Sequence, residues 1–130
     1  MNIVRAAARL LTGTTYTVLG FDALRTPGGR VDVAAPTLDA LRTVLPLPKD
    51  NKVVVRANGA AQTVTGAALA LGLAPRTSAL VLACSLIPTT YAGHAFWKIT
   101  DPAQRKGQRI QVLKNTAMLG GLLLISIDRG

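Results

Sequence analysis

The chain has 130 residues, enough for one domain, and its 15 Lys and Arg against 6 Asp and Glu give a net charge of +9. Only 16% of the residues are charged and 49% are hydrophobic, whereas a soluble domain carries about 25% charged residues. This composition argues against an ordinary soluble fold. The basic residues lie between long apolar runs, which is typical of membrane topology rather than of nucleic-acid binding.

Four membrane-spanning helices are predicted, because a span needs about 20 mainly apolar residues. Residues 57–75 and 77–97 form two runs without formal charge. Two shorter runs, 10–21 and 115–127, become long enough if the charged residues beside them reach the interface. The resulting prediction is one all-α domain over residues 1–130, an up-down four-helix bundle with membrane-spanning helices near 4–24, 54–74, 76–94 and 109–127.

The first long loop, residues 25–52, is predicted to contain a short amphipathic helix over residues 36–45. Pro36 suits its first turn, because proline lacks the N–H that a first turn leaves unpaired. Such a helix either lies along the membrane interface or packs on the end of the bundle. Its apolar face consists of Leu38, Leu41, Val44 and Leu45.

The later connections are shorter than the first. Pro75 and Arg76 predict a tight turn, which makes the second and third spans antiparallel neighbours. Residues 98–109 are predicted to form a polar, basic loop. Within the third span, Cys84 is expected to be a small, buried packing residue.

Small residues predict where the helices touch, because in lipid close packing rather than apolar burial drives helix association. We therefore expect the second and fourth spans to contact other helices through their glycines and alanines. The candidates are Ala57, Gly59, Ala61, Gly66 and Ala70 in the second span, and Gly120 and Gly121 in the fourth.

Charge asymmetry predicts the orientation, because cytoplasmic loops carry an excess of Lys and Arg. With four spans, both termini and the short turn lie on one side, which carries Arg5, Arg9, Arg76 and Arg129. The long basic loops are therefore expected to be cytoplasmic, in a multi-pass protein of the plasma membrane. Their side carries Arg25, Arg30, Arg42, Lys49, Lys52, Arg56, Lys98, Arg105, Lys106, Arg109 and Lys114.

Polar residues of four helix ends are predicted to meet on the side of the long loops, because up-down connectivity brings those ends together. Polar groups at membrane depth are costly and often mark function. Asp22 is the only acid in the first span, and Arg56 or Lys114 can neutralise it across the bundle. The candidate ligand or partner site consists of Asp22, Arg56, Asn58, Gln62, His94, Lys114 and Asn115.

A purely structural role for the same residues stays open. Asp22 and Arg25 lie three residues apart and can pair with each other, while Arg56 and Lys114 can reach lipid phosphates. His94 also suits an aromatic belt at the membrane interface. With one His and no Glu, the chain offers neither a two-histidine haem site nor a carboxylate metal site, so no metal is expected.

Four segments of the sequence resemble one known family. Their order and spacing are similar to those of the DoxX family of small bacterial membrane proteins, in the form common among actinobacteria. Over nearly the whole chain, the resemblance implies a four-helix protein of the inner membrane. The segments are 16–25 (YTVLGFDALR), 55–62 (VRANGAAQ), 92–97 (AGHAFW) and 113–115 (LKN), the last leading into Gly120 and Gly121.

The resemblance suggests a redox context, because relatives have been linked to thiosulfate:quinone oxidoreductase and, in mycobacteria, to a membrane complex with superoxide dismutase and a sulfurtransferase. The first functional hypothesis is an accessory or scaffold subunit of a redox-linked or respiratory membrane complex. The alternative is an oxidoreductase subunit that binds a quinone or sulfur species at the polar end of the bundle. The expected partners are the lipid bilayer and a larger membrane complex, and no cofactor is expected beyond a quinone or lipid.

Overall fold

The computed structural model describes residues 2–129, and the regular secondary structure in them is entirely helical. Five α-helices follow one another along this part of the chain, with a 3-10 turn (Phe96–Lys98) before the last. The all-α prediction is confirmed. The helices are α1 (Ile3–Arg25), α2 (Arg30–Arg42), α3 (Asn51–Ala70), α4 (Pro75–Gly93) and α5 (Pro102–Ile127).

Helix α3 ends at residue 70 rather than at residue 74 as predicted. Gly72 adopts a left-handed conformation (φ +74°), and the N–H groups of Gly72 and Leu73 donate to carbonyls of the last turn of α3 over 3.0 and 2.7 Å. These bonds form a Schellman cap, which satisfies the final carbonyls of a helix. The tight turn therefore comprises residues 71–74, and Pro75 is the first residue of α4.

Helix α5 begins at Pro102 rather than at residue 109, so the second half of the predicted loop 98–109 is helical. The Asp101 carboxylate accepts a hydrogen bond from the N–H of Gln104 over 2.9 Å, and proline suits the first helical position. Both signals are present in the sequence. The predicted start was wrong because it followed the loss of charge and not these capping residues.

Helix α2 spans Arg30–Arg42, so the prediction of a helix over residues 36–45 with Pro36 in its first turn is wrong. Pro36 lies mid-helix, where it has no N–H to donate to the carbonyl of Asp32. Both residues are exposed, so water can satisfy that carbonyl. Of the predicted apolar face, Leu38 is buried, whereas Val44 lies beyond the helix and is 75% exposed.

Helices α1 and α3 pack with their backbones in contact at four glycines. Gly13 lies opposite Gly66 and Gly20 opposite Gly59, so the two helices run antiparallel. A Cβ atom built on Gly20 would stand 2.7 Å from the Gly59 carbonyl oxygen, which is too close for any side chain. The predicted contact roles of Gly59 and Gly66 are confirmed, whereas their partners on α1 are not among the predicted residues.

Not every small residue marks a contact. Gly120 and Gly121 of α5 are exposed, and within the described residues no other helix has an atom within 4 Å of a Cβ built on either, so their predicted contact role is wrong inside this chain. Ala57 and Ala61 of α3 are exposed as well. Small residues occur on several faces of these helices, and composition does not say which face packs.

Contacts at both ends show that the later long helices also run antiparallel. Asn115 of α5 donates to the hydroxyl of Thr90 near the end of α4 over 2.9 Å. At the opposite end, Arg76 of α4 donates to the carbonyl of Asp128 over 2.7 Å, and Arg5 of α1 pairs with the Asp128 carboxylate at 3.0 Å. The starts of α1 and α4 and the end of α5 therefore lie together.

The apolar surface of α4 and α5 is largely uncovered. Pro75–Lys98 and Pro102–Ile127 are long and apolar enough to cross a membrane, with mean hydropathies of 1.3 and 1.5. Soluble core helices pass the same test but are mostly buried, whereas these segments are 22% and 6% buried. Helices α1 and α3 do not reach this threshold. Cys84 lies on the uncovered side of α4, so the expectation that it is buried is wrong.

We predict that Gly20→Ala destabilises the protein by about 1–3 kcal/mol, because the new methyl group meets the backbone of α3 and forces the two helices apart. The measurement is thermal or denaturant unfolding of the purified protein in detergent. The matched control is Gly107→Ala on α5, where a Cβ meets nothing within 4 Å. That variant should gain up to about 1 kcal/mol of helix propensity. Equal stability of the two variants would contradict the packing.

Candidate ligand-binding cavity

A cavity of about 630 Å³ lies at the end of the molecule opposite Arg5 and Asp128. It is lined by the second halves of α1 and α4, the first half of α3 and the middle of α5, and α2 packs across α3 and α4 to cover it. The volume is within the range of about 300–1,000 Å³ that is typical of small-molecule sites. Most of the lining is apolar, and α2 alone contributes Val33, Ala34, Leu38 and Leu41.

The seven predicted site residues divide into two groups. Asn58, Gln62, His94 and Asn115 line the cavity, and all but the buried Gln62 are half-buried. Asp22, Arg56 and Lys114 are exposed and do not line it. The amide and imidazole side chains of the predicted site therefore line the cavity, and its three charged members lie outside it.

A chain of side-chain hydrogen bonds joins α3 to α4 beside the cavity. The Gln62 amide donates to the Ser85 hydroxyl over 2.9 Å, and that hydroxyl donates to the Asn58 amide oxygen over 2.7 Å. Asn58 and Gln62 are four residues apart, so both lie on the α3 face that meets α4. Buried polar groups need such partners, because an unpaired one loses its water without compensation.

His94 follows the end of α4, and its orientation depends on α5. Its Nδ1 atom lies 2.6 Å from the Gln108 side-chain oxygen. An amide oxygen only accepts hydrogen bonds, so Nδ1 carries the hydrogen in this pair. The Nε2 atom is then the ring nitrogen that remains for a ligand.

Asp22 pairs with Arg30 and with none of the partners predicted for it. The guanidinium and carboxylate are 2.7 Å apart, and both side chains are about half exposed. The chain turns after α1 through Gly28, which has a left-handed φ of +49°, and this turn brings Arg30, the first residue of α2, within reach of Asp22. Pairing with Arg25, Arg56 or Lys114 was the wrong prediction because it ignored this local turn.

Tyr16 lines the inner end of the cavity and is not among the site residues predicted from the sequence. The residue is 2% exposed and also contacts the apolar core that includes Leu69, Leu82 and Leu122. Its hydroxyl is the only buried side-chain oxygen or nitrogen in residues 2–129 without a hydrogen-bond partner. Buried tyrosine hydroxyls usually have one. Only the three-dimensional contacts reveal this, because an unpaired hydroxyl has no sequence pattern.

The lining groups suit a neutral amphiphile better than an ion. Amides, hydroxyls and an imidazole can hydrogen-bond a polar group, while the aliphatic side chains cover an apolar body. Arg30 is the one lining residue with a permanent charge, and Asp22 already neutralises it. Within residues 2–129, no three His, Cys, Asp or Glu side chains are grouped to hold a metal ion.

The DoxX family model matches residues 4–95, which include α1 to α4. The chain belongs to the DoxX family. The match ends before α5, so it does not include the segment 113–115 that also resembles the family. No curated protein and no solved structure matches the chain. Family membership agrees with the uncovered apolar helices in indicating a membrane protein.

Proposed function

We propose that this DoxX protein crosses the bacterial inner membrane four times, through α1, α3, α4 and α5, with α2 at the interface. The antiparallel neighbours and the common location of Arg5, Arg76 and Asp128 support this arrangement. Arg56, Asn58 and Gln62 lower the hydropathy of α3, but the two amides bond to α4 and so need not face lipid. Helix α2 covers the cavity from the aqueous side.

The two long, basic connections are proposed to be cytoplasmic. The cavity end carries most of the Lys and Arg, as the positive-inside rule requires of a cytoplasmic side. Helix α5 has 26 residues, so its length of about 39 Å exceeds a hydrocarbon core of about 30 Å. Its first turns, with Arg105, Lys106 and Arg109, therefore extend into water.

We predict that a cysteine replacing Lys106 reacts with a membrane-impermeant maleimide in inside-out vesicles and not in intact spheroplasts. The background is Cys84→Ala, which removes the only native thiol. A cysteine replacing Arg76, at the opposite end, should show the reverse pattern. The same side for both positions would exclude the four-span arrangement, and a swapped pattern would invert the orientation.

The proposed role is a subunit of a redox-linked membrane complex that binds a quinone headgroup in the cavity. The observation that carries this proposal is a cavity of quinone-compatible size lined by apolar side chains and by the neutral polar groups Asn58, His94 and Asn115. An anionic sulfur species would need an unpaired cation, and the only cationic lining residue, Arg30, is paired. A neutral quinone is therefore better supported as the ligand than an anionic sulfur species.

We predict that the purified protein binds a short-tailed 1,4-benzoquinone and that Ala34→Trp weakens binding at least tenfold, because the indole fills part of the cavity. Equilibrium dialysis in detergent measures the affinity. The control is Ala40→Trp on the same helix, which is exposed and outside the cavity, and it should bind like the wild type. Absence of binding by the wild type would refute the quinone role.

The second candidate is an accessory or scaffold subunit without a ligand of its own. It is supported by α5, which is 6% buried over its apolar window and has Gly120 and Gly121 open to a neighbouring helix. Small residues of this kind let a partner backbone approach closely.

We predict that the protein co-purifies with a larger complex from native membranes in mild detergent, and that Gly121→Leu lowers the recovered partner several-fold by blocking close approach. The exposed Gly107→Leu, near the aqueous end of α5, should leave recovery unchanged. A wild-type protein that always purifies alone would argue against this role.

A further inference from the structure

A groove of about 280 Å³ lies between α4 and α5, distinct from the cavity that α2 covers. Its lining is mainly apolar and aromatic, and it extends about 10 Å along α5, from residue 112 to residue 119. Such a groove suits a linear apolar chain. Among the lining residues, none of the following is buried: Ile87, Tyr91, Trp97, Val112, Thr116 and Leu119.

The polar side chains of the groove are already bonded within the protein. The Asn115 amide donates to the Thr90 hydroxyl over 2.9 Å, and the Thr116 hydroxyl donates to the Val112 carbonyl over 2.8 Å. The groove therefore presents apolar surface rather than uncommitted amides, and a hydrocarbon chain is the occupant that matches it.

The groove begins close to the level of the membrane surface. Residues 108–127 of α5 are about 30 Å long, which is the thickness of the hydrocarbon core, so Val112 lies about one turn inside it. Tyr91 and Trp97 are about half exposed, and their ring centroids are 5.4 Å apart. Tyrosine and tryptophan are typical of the headgroup level. An occupant of the groove can therefore extend from the headgroups into the hydrocarbon.

Three exposed cations lie at the headgroup end of the groove. Lys98 ends the 3-10 turn that packs against α5, and Arg105 and Arg109 each lie about two turns before a groove residue of α5, on the same side of the helix. Within residues 2–129 no acid forms an ion pair with any of the three. Asp101, which is close in sequence, caps α5 through the N–H of Gln104. Such cations attract anionic lipid headgroups.

A partner helix fits this groove less well than a lipid does. Closely packed helices in membranes meet through small residues, whereas Tyr91, Trp97 and Leu119 line the groove. At about 100° per residue, Gly120 and Gly121 lie about 90° and 170° around α5 from the centre of the groove face. The side of α5 that is open to a partner is therefore a different one.

We propose that the groove between α4 and α5 binds one anionic phospholipid, with an acyl chain in the groove and the phosphate at Lys98, Arg105 and Arg109. The inference rests on the proposed membrane crossing of α4 and α5 and does not depend on the ligand of the cavity. A zwitterionic lipid of the same chain length fills the groove equally well but gains less from the three cations. The charge of the headgroup therefore determines the selectivity.

The first test is native mass spectrometry of the full chain in neutral detergent, titrated with phosphatidylglycerol or phosphatidylcholine of identical acyl chains. The wild type should prefer phosphatidylglycerol, and Arg105→Gln/Arg109→Gln should weaken its binding about 25-fold, or about fivefold for each cation. The matched control is Lys106→Gln/Lys114→Gln, which removes the same charge from the opposite side of α5. Equal losses in the two double variants would show unspecific charge attraction and overturn the inference.

The second test fills the groove. Thr116→Trp should weaken both lipids about tenfold, which corresponds to about two methylene groups losing their apolar contact. Ala117→Trp, at the next and equally exposed position but outside the groove, should bind both lipids like the wild type. Lipid binding that is unchanged in Thr116→Trp would place the acyl chain elsewhere and contradict the proposal.

Two further outcomes would also overturn the inference. Displacement of phosphatidylglycerol by an equal concentration of inorganic phosphate would identify a site for a free anion, and a lipid-free dimer would assign the groove to a second copy of the chain. The maleimide labelling separates this inference from the proposed function. If the labelling supports four spans and phosphatidylglycerol is not preferred, the lipid site alone is refuted. If the labelling excludes four spans, both are refuted.

Discussion

The backbone contact between α1 and α3 is the constraint on which the rest of the structure depends. Four glycines allow the two helices to approach until a Cβ on either side would overlap the opposite backbone. A Cβ on Gly20 would also stand 2.7 Å from the Cβ of Gln62, so this contact sets the position of a cavity residue directly. Tyr16 lies one turn before Gly20. The same contact therefore also sets the position of Tyr16 relative to α3.

The hydrogen bonds between the helices follow from the same close packing. Polar side chains between closely packed helices must find partners within the protein, because the packing removes them from solvent. Asn58, Gln62 and Ser85 satisfy one another across α3 and α4, and Asn115 bonds to Thr90 across α4 and α5. These bonds tie the helices together at the cavity end.

Sequence patterns were sufficient for the existence of the four long helices, though not for all their ends, and for part of the site. The apolar runs predicted four long helices, and their connectivity placed Asn58, Gln62, His94 and Asn115 at one end, where the structure gathers them around the cavity. The apolar runs did not predict that Asp22 pairs with Arg30, because the left-handed turn at Gly28 brings those two residues together. The sequence does not separate Gly13 and Gly20 from the exposed Gly120 and Gly121. The two pairs differ because α3 packs against the first pair and no helix of this chain packs against the second.

The low hydropathy of α3 and the polarity of the cavity have one cause. Asn58 and Gln62 lower the apolar character of the helix, and the same residues provide its bonds to α4. A helix whose polar side chains bond to a neighbour can have a low mean hydropathy and still carry an apolar opposite face. Helices α4 and α5 expose most of their surface and are correspondingly more apolar. The high hydropathy of α4 and α5 thus goes with the large share of their surface that no other helix of the chain covers.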